Sequence, residues 1–316
     1  MQQTLLPIHF TPLQGYTDAA YRQAHARLFG GVERYYTPFV RVEHGECRRR
    51  DVRDLEPEYN REVSLIPQLI APDAETAGRI MPLFVERGYR EVDINLGCPF
   101  PTLVRRHNGA GLLPYPDEVE RLLTSLVEGY PEVRFSVKMR LGWERADEGL
   151  ALLPLLNTLP LSHLIVHARL GVQQYKGEPD IEAFARFYEV CRLPLYYNGD
   201  LRTVEEMEQM TRRFPHLAGL ALGRGLLANP ALALEYREGR HLTGEELAQK
   251  VRQLHDEVYA RYEAQLQGGE LQLLTKMKSF WEYLLPEGDR KARKTIYKTG
   301  KLANYRAAVS NLLAAL

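Results

Sequence analysis

Two hydrophobic periods alternate along the chain: short apolar runs with strand character, and longer stretches in which an apolar residue returns every three or four positions. The runs at 8–13, 33–40, 63–70, 91–95, 133–140, 163–167, 195–198 and 217–222 predict eight strands. Helical periodicity follows seven of them, at 17–29, 73–87, 117–128, 147–156, 181–191, 203–213 and 229–237, with a less regular segment after the second run. Thr17-Asp18 and Asp73 stand where N-caps are expected, and Asn229-Pro230 reads as a cap followed by a first-turn proline. Strand-helix units in that number within the first 240 residues predict a closed parallel (β/α)8 TIM barrel. An open doubly wound sheet would carry G-x-G-x-x-G after an early strand, and the sequence has none.

The tail changes character. Helical periodicity alone fills 245–265, 271–284 and 290–316, with Gly268-Gly269 as a break. The expected organisation is a barrel domain over 1–240 followed by a small C-terminal helical bundle over 241–316.

Composition narrows the setting. With 316 residues, 45% hydrophobic and 26% charged, the chain is that of an ordinary globular protein rather than a disordered one. No apolar run reaches membrane-spanning length and the first residues lack a secretory signal, so a cytoplasmic protein off the membrane is expected. Cys47, Cys98 and Cys191 are few, odd in number and without ligand spacing, which argues against a disulfide framework or a metal site. The formal net charge is zero, yet nine basic against three acidic residues between Lys276 and Arg306 leave that segment at +6. Trp281, Tyr283, Tyr297 and Tyr305 are interleaved with this charge, a pattern suited to phosphates and stacked bases.

Chemistry concentrates at the predicted C-terminal ends of the strands, where barrel enzymes carry their sites. The fourth strand runs into Asn95-Leu96-Gly97-Cys98-Pro99, a glycine- and proline-punctuated bend that presents one thiol. The other ends deliver Pro12, Leu13 and Gln14, then Phe39 and Arg41, Gln68, Lys138 and Arg140, His167 and Arg169, Asn198-Gly199-Asp200, and Gly223-Arg224-Gly225. The last two groups suit a phosphate, with Arg224 as a bidentate cation. Lys138 and His167 suit an electron-rich ring; a flavin and a phosphate-bearing sugar both satisfy that pattern.

The chain resembles the tRNA-dihydrouridine synthase family through pieces that run nearly end to end: Thr11 to Asp18, Asp93 to Pro99, Val137 to Trp143, His167 to Gly177, Asn198 to Asp200 and Leu222 to Gly225. Phe39 to Val42 and Arg140 to Trp143 lean toward its bacterial C-type branch, whose target lies in the D-loop. The resemblance implies an FMN barrel with a C-terminal helical domain that uses NADPH to reduce the C5–C6 bond of particular uridines in tRNA. Carried over, Pro12, Leu13, Gln68, Lys138, His167, Asn198, Gly199, Asp200, Gly223 and Arg224 would hold FMN. Cys98 would be the general acid, Asn95 and Arg140 would face the uracil, and Lys291, Arg293 and Lys294 would grip tRNA. The expected partners are tRNA and NADPH, with the protein a monomer.

Such chemistry needs a protonated thiol, so no cation should press on Cys98, and Arg105, Arg106 and His107 should point elsewhere. The chain departs from the family pattern at Thr11 and Leu13, at Ala168 and Leu170, and in that Arg105-Arg106-His107 run. The competing readings are a dihydroorotate dehydrogenase-like flavin barrel acting on a free pyrimidine, which does not need the basic tail, and a non-catalytic tRNA-binding protein on a decayed barrel.

Overall fold

A computed structural model of the protein describes residues 5–315. Its main sheet has nine strand segments, all paired in parallel, and their spatial order begins on Leu65–Ile66 and ends on Gln68–Leu69. Only Pro67 separates these two segments, so the sheet's edges are halves of one strand and the sheet closes on itself. Proline has no N–H to continue a ladder. The Pro67 carbonyl instead accepts from Asp93 N at 2.9 Å, while Gln68 N turns to the Thr37 hydroxyl. Counted this way, the eight barrel strands are Ile8–Phe10, Arg34–Tyr36, the interrupted third, Glu91–Leu96, Arg134–Gly142, Leu164–Leu170, Leu195–Asn198 and Gly219–Leu222. The predicted (β/α)8 barrel is present.

Helix boundaries follow local capping chemistry. Asp18 accepts from Tyr21 N, Asp73 from Thr76 N, and Thr203 with Glu206 forms a capping box. Three details differ from the sequence expectation. The second run, expected over 33–40, is strand only over Arg34–Tyr36, followed by a two-stranded hairpin, Val42–Glu43 with Glu46–Cys47, and the helix Arg49–Asp54. The fifth and sixth strands extend to Gly142 and Leu170, past a register shift between Arg140 and Gly142. A short helix, Arg224–Ala228, precedes Leu232–Glu238, so Asn229 sits between two helices, its side chain accepting from Ala231 N.

The tail forms four helices, Gly244–Gln265, Gly269–Phe280, Arg290–Lys298 and Leu302–Leu313. They join the barrel through polar contacts such as Tyr262 Oη to Asp18 and Lys250 Nζ to Leu28 O, and the buried apolar cluster is continuous across the join. Trp281 and Tyr305 are fully buried there and bonded to each other, so they are core residues rather than stacking platforms. Tyr297, 40% exposed, does reach the surface of the basic segment. Among the described residues no helix is long and apolar enough to cross a membrane, and no group of three or more acidic, histidine or cysteine side chains could hold a metal ion.

Candidate active site

Inward-facing residues of a parallel barrel align across neighbouring strands, and register sets which side chains meet. Gln68 pairs with Asp93, and Asp93 with Ser136, on strands three, four and five. Their side chains bond in that order: Ser136 Oγ donates to Asp93 Oδ1 at 2.6 Å and Gln68 Nε2 donates to Asp93 Oδ2 at 2.6 Å. One layer nearer the mouth, Asn95 Nδ2 donates to Gln68 Oε1 at 2.7 Å. The Asn95 Oδ1 accepts from both Gly97 N, at 3.0 Å, and Cys98 N, at 2.8 Å. Burial pushes the Asp93 carboxyl up to about 6, against the opposing pull of Ser136, Gln68 and Lys138.

The bend that carries Cys98 is held from three further sides. Arg140 Nε donates to Gly97 O at 2.9 Å, Ala110 N donates to Cys98 O at 3.0 Å, and Phe39, Ile70 and Leu103 form an apolar wall against which the thiol packs. Burial raises the Cys98 pKa and outweighs the Phe100 backbone N–H and the charges of Arg140, Lys138 and Arg41. The expectation that no cation would act on Cys98 is not met, since three do, yet burial outweighs them and the thiol is neutral at pH 7. Arg105 and Arg106 are exposed, and His107 bonds Glu118 and stacks on Tyr115, so none of the three joins the cations acting on the sulfur.

The ends of strands one and five to eight line a neighbouring cleft. Pro12, Leu13, Lys138, His167, Asn198, Asp200, Gly223 and Arg224 all reach it. Asp200 pairs with both Arg169 and Arg224. Burial works to raise its pKa, but the Arg169 bond and the two guanidinium charges outweigh burial and hold the carboxyl low. Burial lowers Lys138 to about 8, with Arg140 adding to the effect. The His167 imidazole is driven well below its usual value by burial and four surrounding cations, so it is neutral. Tyr175, 51% exposed, lies under two guanidinium groups, 4.6 Å from Arg224 and 5.5 Å from Arg140.

The cleft suits a phosphorylated flavin in its donor set, with cations, a neutral imidazole and the Asn198 amide around an apolar floor of Pro12 and Leu13. Close backbone approach fits as well, because a Cβ on Gly223 would fall 2.8 Å from Leu13 Cδ1. The fully buried Arg169 also keeps its Nε without a partner among the described residues.

Not every expected residue lies in the cleft. Gln68 is fully buried and its amide is taken by Asp93 and Asn95 beneath the mouth. Asn95, expected at the uracil edge, spends its amide on Gln68 and on the Cys98 bend. Arg293, expected to grip tRNA, donates to the Leu284, Leu285 and Trp281 carbonyls and closes a turn; of the three expected cations only Lys291 and Lys294 are exposed. Asp93 and Ser136 are site residues that the sequence pattern does not single out, and Arg169, expected only as a strand-end residue, holds Asp200. The period-2 alternation Ser136, Lys138, Arg140 puts all three on one strand face, a signal that was available for Ser136.

The closed parallel barrel, with its polar groups gathered at the C-terminal rim, has the architecture of the (β/α)8-barrel enzymes. The comparison with known proteins narrows that class: the model of the family described as Dihydrouridine synthase (Dus) matches residues 9–308. The chain belongs to the dihydrouridine synthase family. It is 30% identical over 245 residues to a tRNA-dihydrouridine(16) synthase of Pseudomonas putida, covering 74% of this chain and 75% of that protein. It is also 30% identical over 239 residues to a tRNA-dihydrouridine synthase B of Pseudomonas aeruginosa, covering 73% and 70%. Among solved structures, the old yellow enzyme from Trypanosoma cruzi aligns with a TM-score of 0.54 at 13% identity, over 75% of this chain and 89% of that one, a likeness of fold.

Proposed function

We propose that this protein is a flavin-dependent tRNA-dihydrouridine synthase that uses NADPH to reduce the C5–C6 bond of a uridine in the tRNA D-loop. The observation that carries the reading is a neutral, half-buried thiol, Cys98, on the rim beside a cleft lined by Lys138, His167 and Arg224. FMN held in that cleft by Arg224, Lys138, His167 and Asn198, and reduced by NADPH, would supply the hydride that reaches C6 of the uracil.

Cys98 supplies the other half of the addition. Its S–H bond breaks as a C5–H bond forms, and the thiolate left behind regains a proton from solvent. Burial keeps that proton on sulfur at pH 7, while Arg140 and Lys138 stabilise negative charge building on the uracil oxygen and on the departing thiolate. Arg140 fixes the geometry as well, tying Gly97 O on strand four's loop to Leu170 O at the end of strand six. The exposed Lys291 and Lys294, with Lys298, Lys301 and Tyr297, supply a basic face for tRNA phosphates. A relative named for position 16 supports a D-loop target.

The reading is tested by flavin absorbance. The purified protein should be yellow, bleach with NADPH, and regain colour faster when tRNA lacking dihydrouridine is added under nitrogen. Colour that returns with a free pyrimidine and not with tRNA would move the assignment to the dihydroorotate dehydrogenase kind.

A further inference from the structure

The bonds from Ser136 to Cys98 form one directed chain, and its two ends have fixed polarity. At the near end, the Gly97 and Cys98 backbone groups can only donate, so the Asn95 atom facing them must be oxygen. At the far end an ionised carboxylate can only accept, so the Gln68 atom facing Asp93 must be nitrogen. Between them an amide oxygen meets an amide nitrogen, Gln68 Oε1 with Asn95 Nδ2. The backbone donors settle the sense of Asn95, and the carboxylate holds Gln68 in the matching sense, with its oxygen turned to Asn95.

We infer that Asp93 is a positioning residue: it holds the Gln68 amide in the sense that offers Asn95 an acceptor, and so steadies the Asn95 side chain that keeps the Cys98 bend in place for proton delivery. This rests on the reading of Cys98 as the proton source. Asp93 and Gln68 are fully buried and Ser136 nearly so, which leaves no water to substitute for a misdirected partner. The groups facing Asp93 are Ser136 and Lys138 on strand five, Gln68 on strand three and the Tyr36 phenol on strand two, itself bonded to His9 and His163. Lys138 carries the positive charge among them and opposes protonation of the carboxylate; burial favours it. A protonated Asp93 can donate as well as accept, so the Gln68 amide is free to turn its nitrogen toward Asn95 Nδ2, and Asn95, deprived of that bond, holds the Gly97 and Cys98 amides less firmly.

The test uses the flavin-loaded full-length protein with Asp93→Asn, Ser136→Ala and Cys98→Ala in parallel. It reads flavin reduction by NADPH, flavin reoxidation by tRNA, and hydrogen exchange of the Gly97 and Cys98 amides, each across pH. In the wild type, reoxidation should slow, and exchange at these amides should rise above its intrinsic pH dependence, as pH falls through about 6. Ser136→Ala removes a bond that favours the carboxylate, so both changes should begin at higher pH. Asp93→Asn should bind flavin and accept electrons from NADPH at the normal rate, yet reoxidise about 10- to 100-fold more slowly, with fast exchange at both amides at every pH. Wild-type exchange at those amides in Asp93→Asn, or a pH-independent wild type, overturns the inference. Should Asp93→Asn not fold, the wild-type and Ser136→Ala pH series decide alone. An inactive Cys98→Ala beside a normal Asp93→Asn removes only the positioning role, whereas a fully active Cys98→Ala removes the proton-source reading instead.

Discussion

Gly109 lies against Cys98: a Cβ placed on Gly109 would fall 2.7 Å from the Cys98 carbonyl oxygen and 2.9 Å from the Cys98 Cβ, at a backbone φ of +59°. Both the left-handed conformation and the close approach demand glycine. Gly109→Ala must therefore displace the thiol. The expected outcome is a folded protein, less stable by about 1–3 kcal/mol in urea unfolding, with flavin retained and tRNA reduction lowered at least tenfold.

Cys98→Ala removes the proton source while leaving the cleft donors in place. Flavin content and tRNA affinity should stay within about twofold of wild type, and turnover should fall by a factor on the order of 10²–10⁴. Single-turnover reoxidation by tRNA is the measurement. Because burial raises the thiol pKa, the wild-type rate should hold through neutral pH and fall again on the alkaline side, where the thiol ionises.

Arg224 shares Asp200 with Arg169 and opens on the cleft. Arg224→Ala removes a charge-assisted contact worth about 1.5–3 kcal/mol, so FMN affinity should fall roughly 10- to 100-fold in a fluorescence titration. Arg224→Lys should recover only part of this, since a single ammonium cannot serve Asp200 and a phosphate in the manner of a planar fork.

The basic tail separates into surface charge and structural charge. Lys291→Glu with Lys294→Glu should weaken tRNA binding and flatten its salt dependence, with thermal stability unchanged. Arg293→Ala should act the other way. It strips donors from the carbonyls of Trp281, Leu284 and Leu285 and should cost about 1–3 kcal/mol of stability.

His25 sets a pH limit on the fold. Its Nε2 donates to Pro230 O at 2.9 Å and its Nδ1 accepts from the Tyr35 hydroxyl at 2.9 Å, both inside the core. Burial lowers its pKa from 6.5 to about 4, outweighing the Pro230 bond. The unfolded chain takes up a proton near 6.5 and the native state only near 4, so this contribution is complete above 6.5 and is lost as pH falls toward 4. The loss is roughly 3 kcal/mol across that window. Urea unfolding of His25→Gln, which can keep both bonds without titrating, should show a shallower decline.

The barrel was legible because eight strands, seven of them followed by helical periodicity, repeat one binary pattern, and the cleft was legible because Asn198 to Asp200 and Gly223-Arg224 stand at strand ends by spacing alone. What the pattern concealed was how polar atoms are shared. Gln68 and Asn95 lie at the expected strand positions, yet their amides go to Asp93, to each other and to the Cys98 bend, a cross-strand relationship that no one-dimensional spacing encodes. Trp281, Tyr305 and Arg293 misled for a similar reason: a basic, aromatic stretch reads as surface until helix packing turns three of its members inward. The break at Pro67 was visible as a proline within a strand, but its role in closing the barrel required the pairing of both halves.

The central claim is that uridine in tRNA gains two hydrogens at this barrel mouth. Mass spectrometry of unmodified tRNA after incubation with the flavin-loaded protein and NADPH tests it most directly. The account predicts a mass gain of two hydrogens confined to a D-loop uridine, and none when Cys98→Ala replaces the wild type. Unmodified tRNA in the wild-type reaction, with the flavin demonstrably reduced, would contradict it.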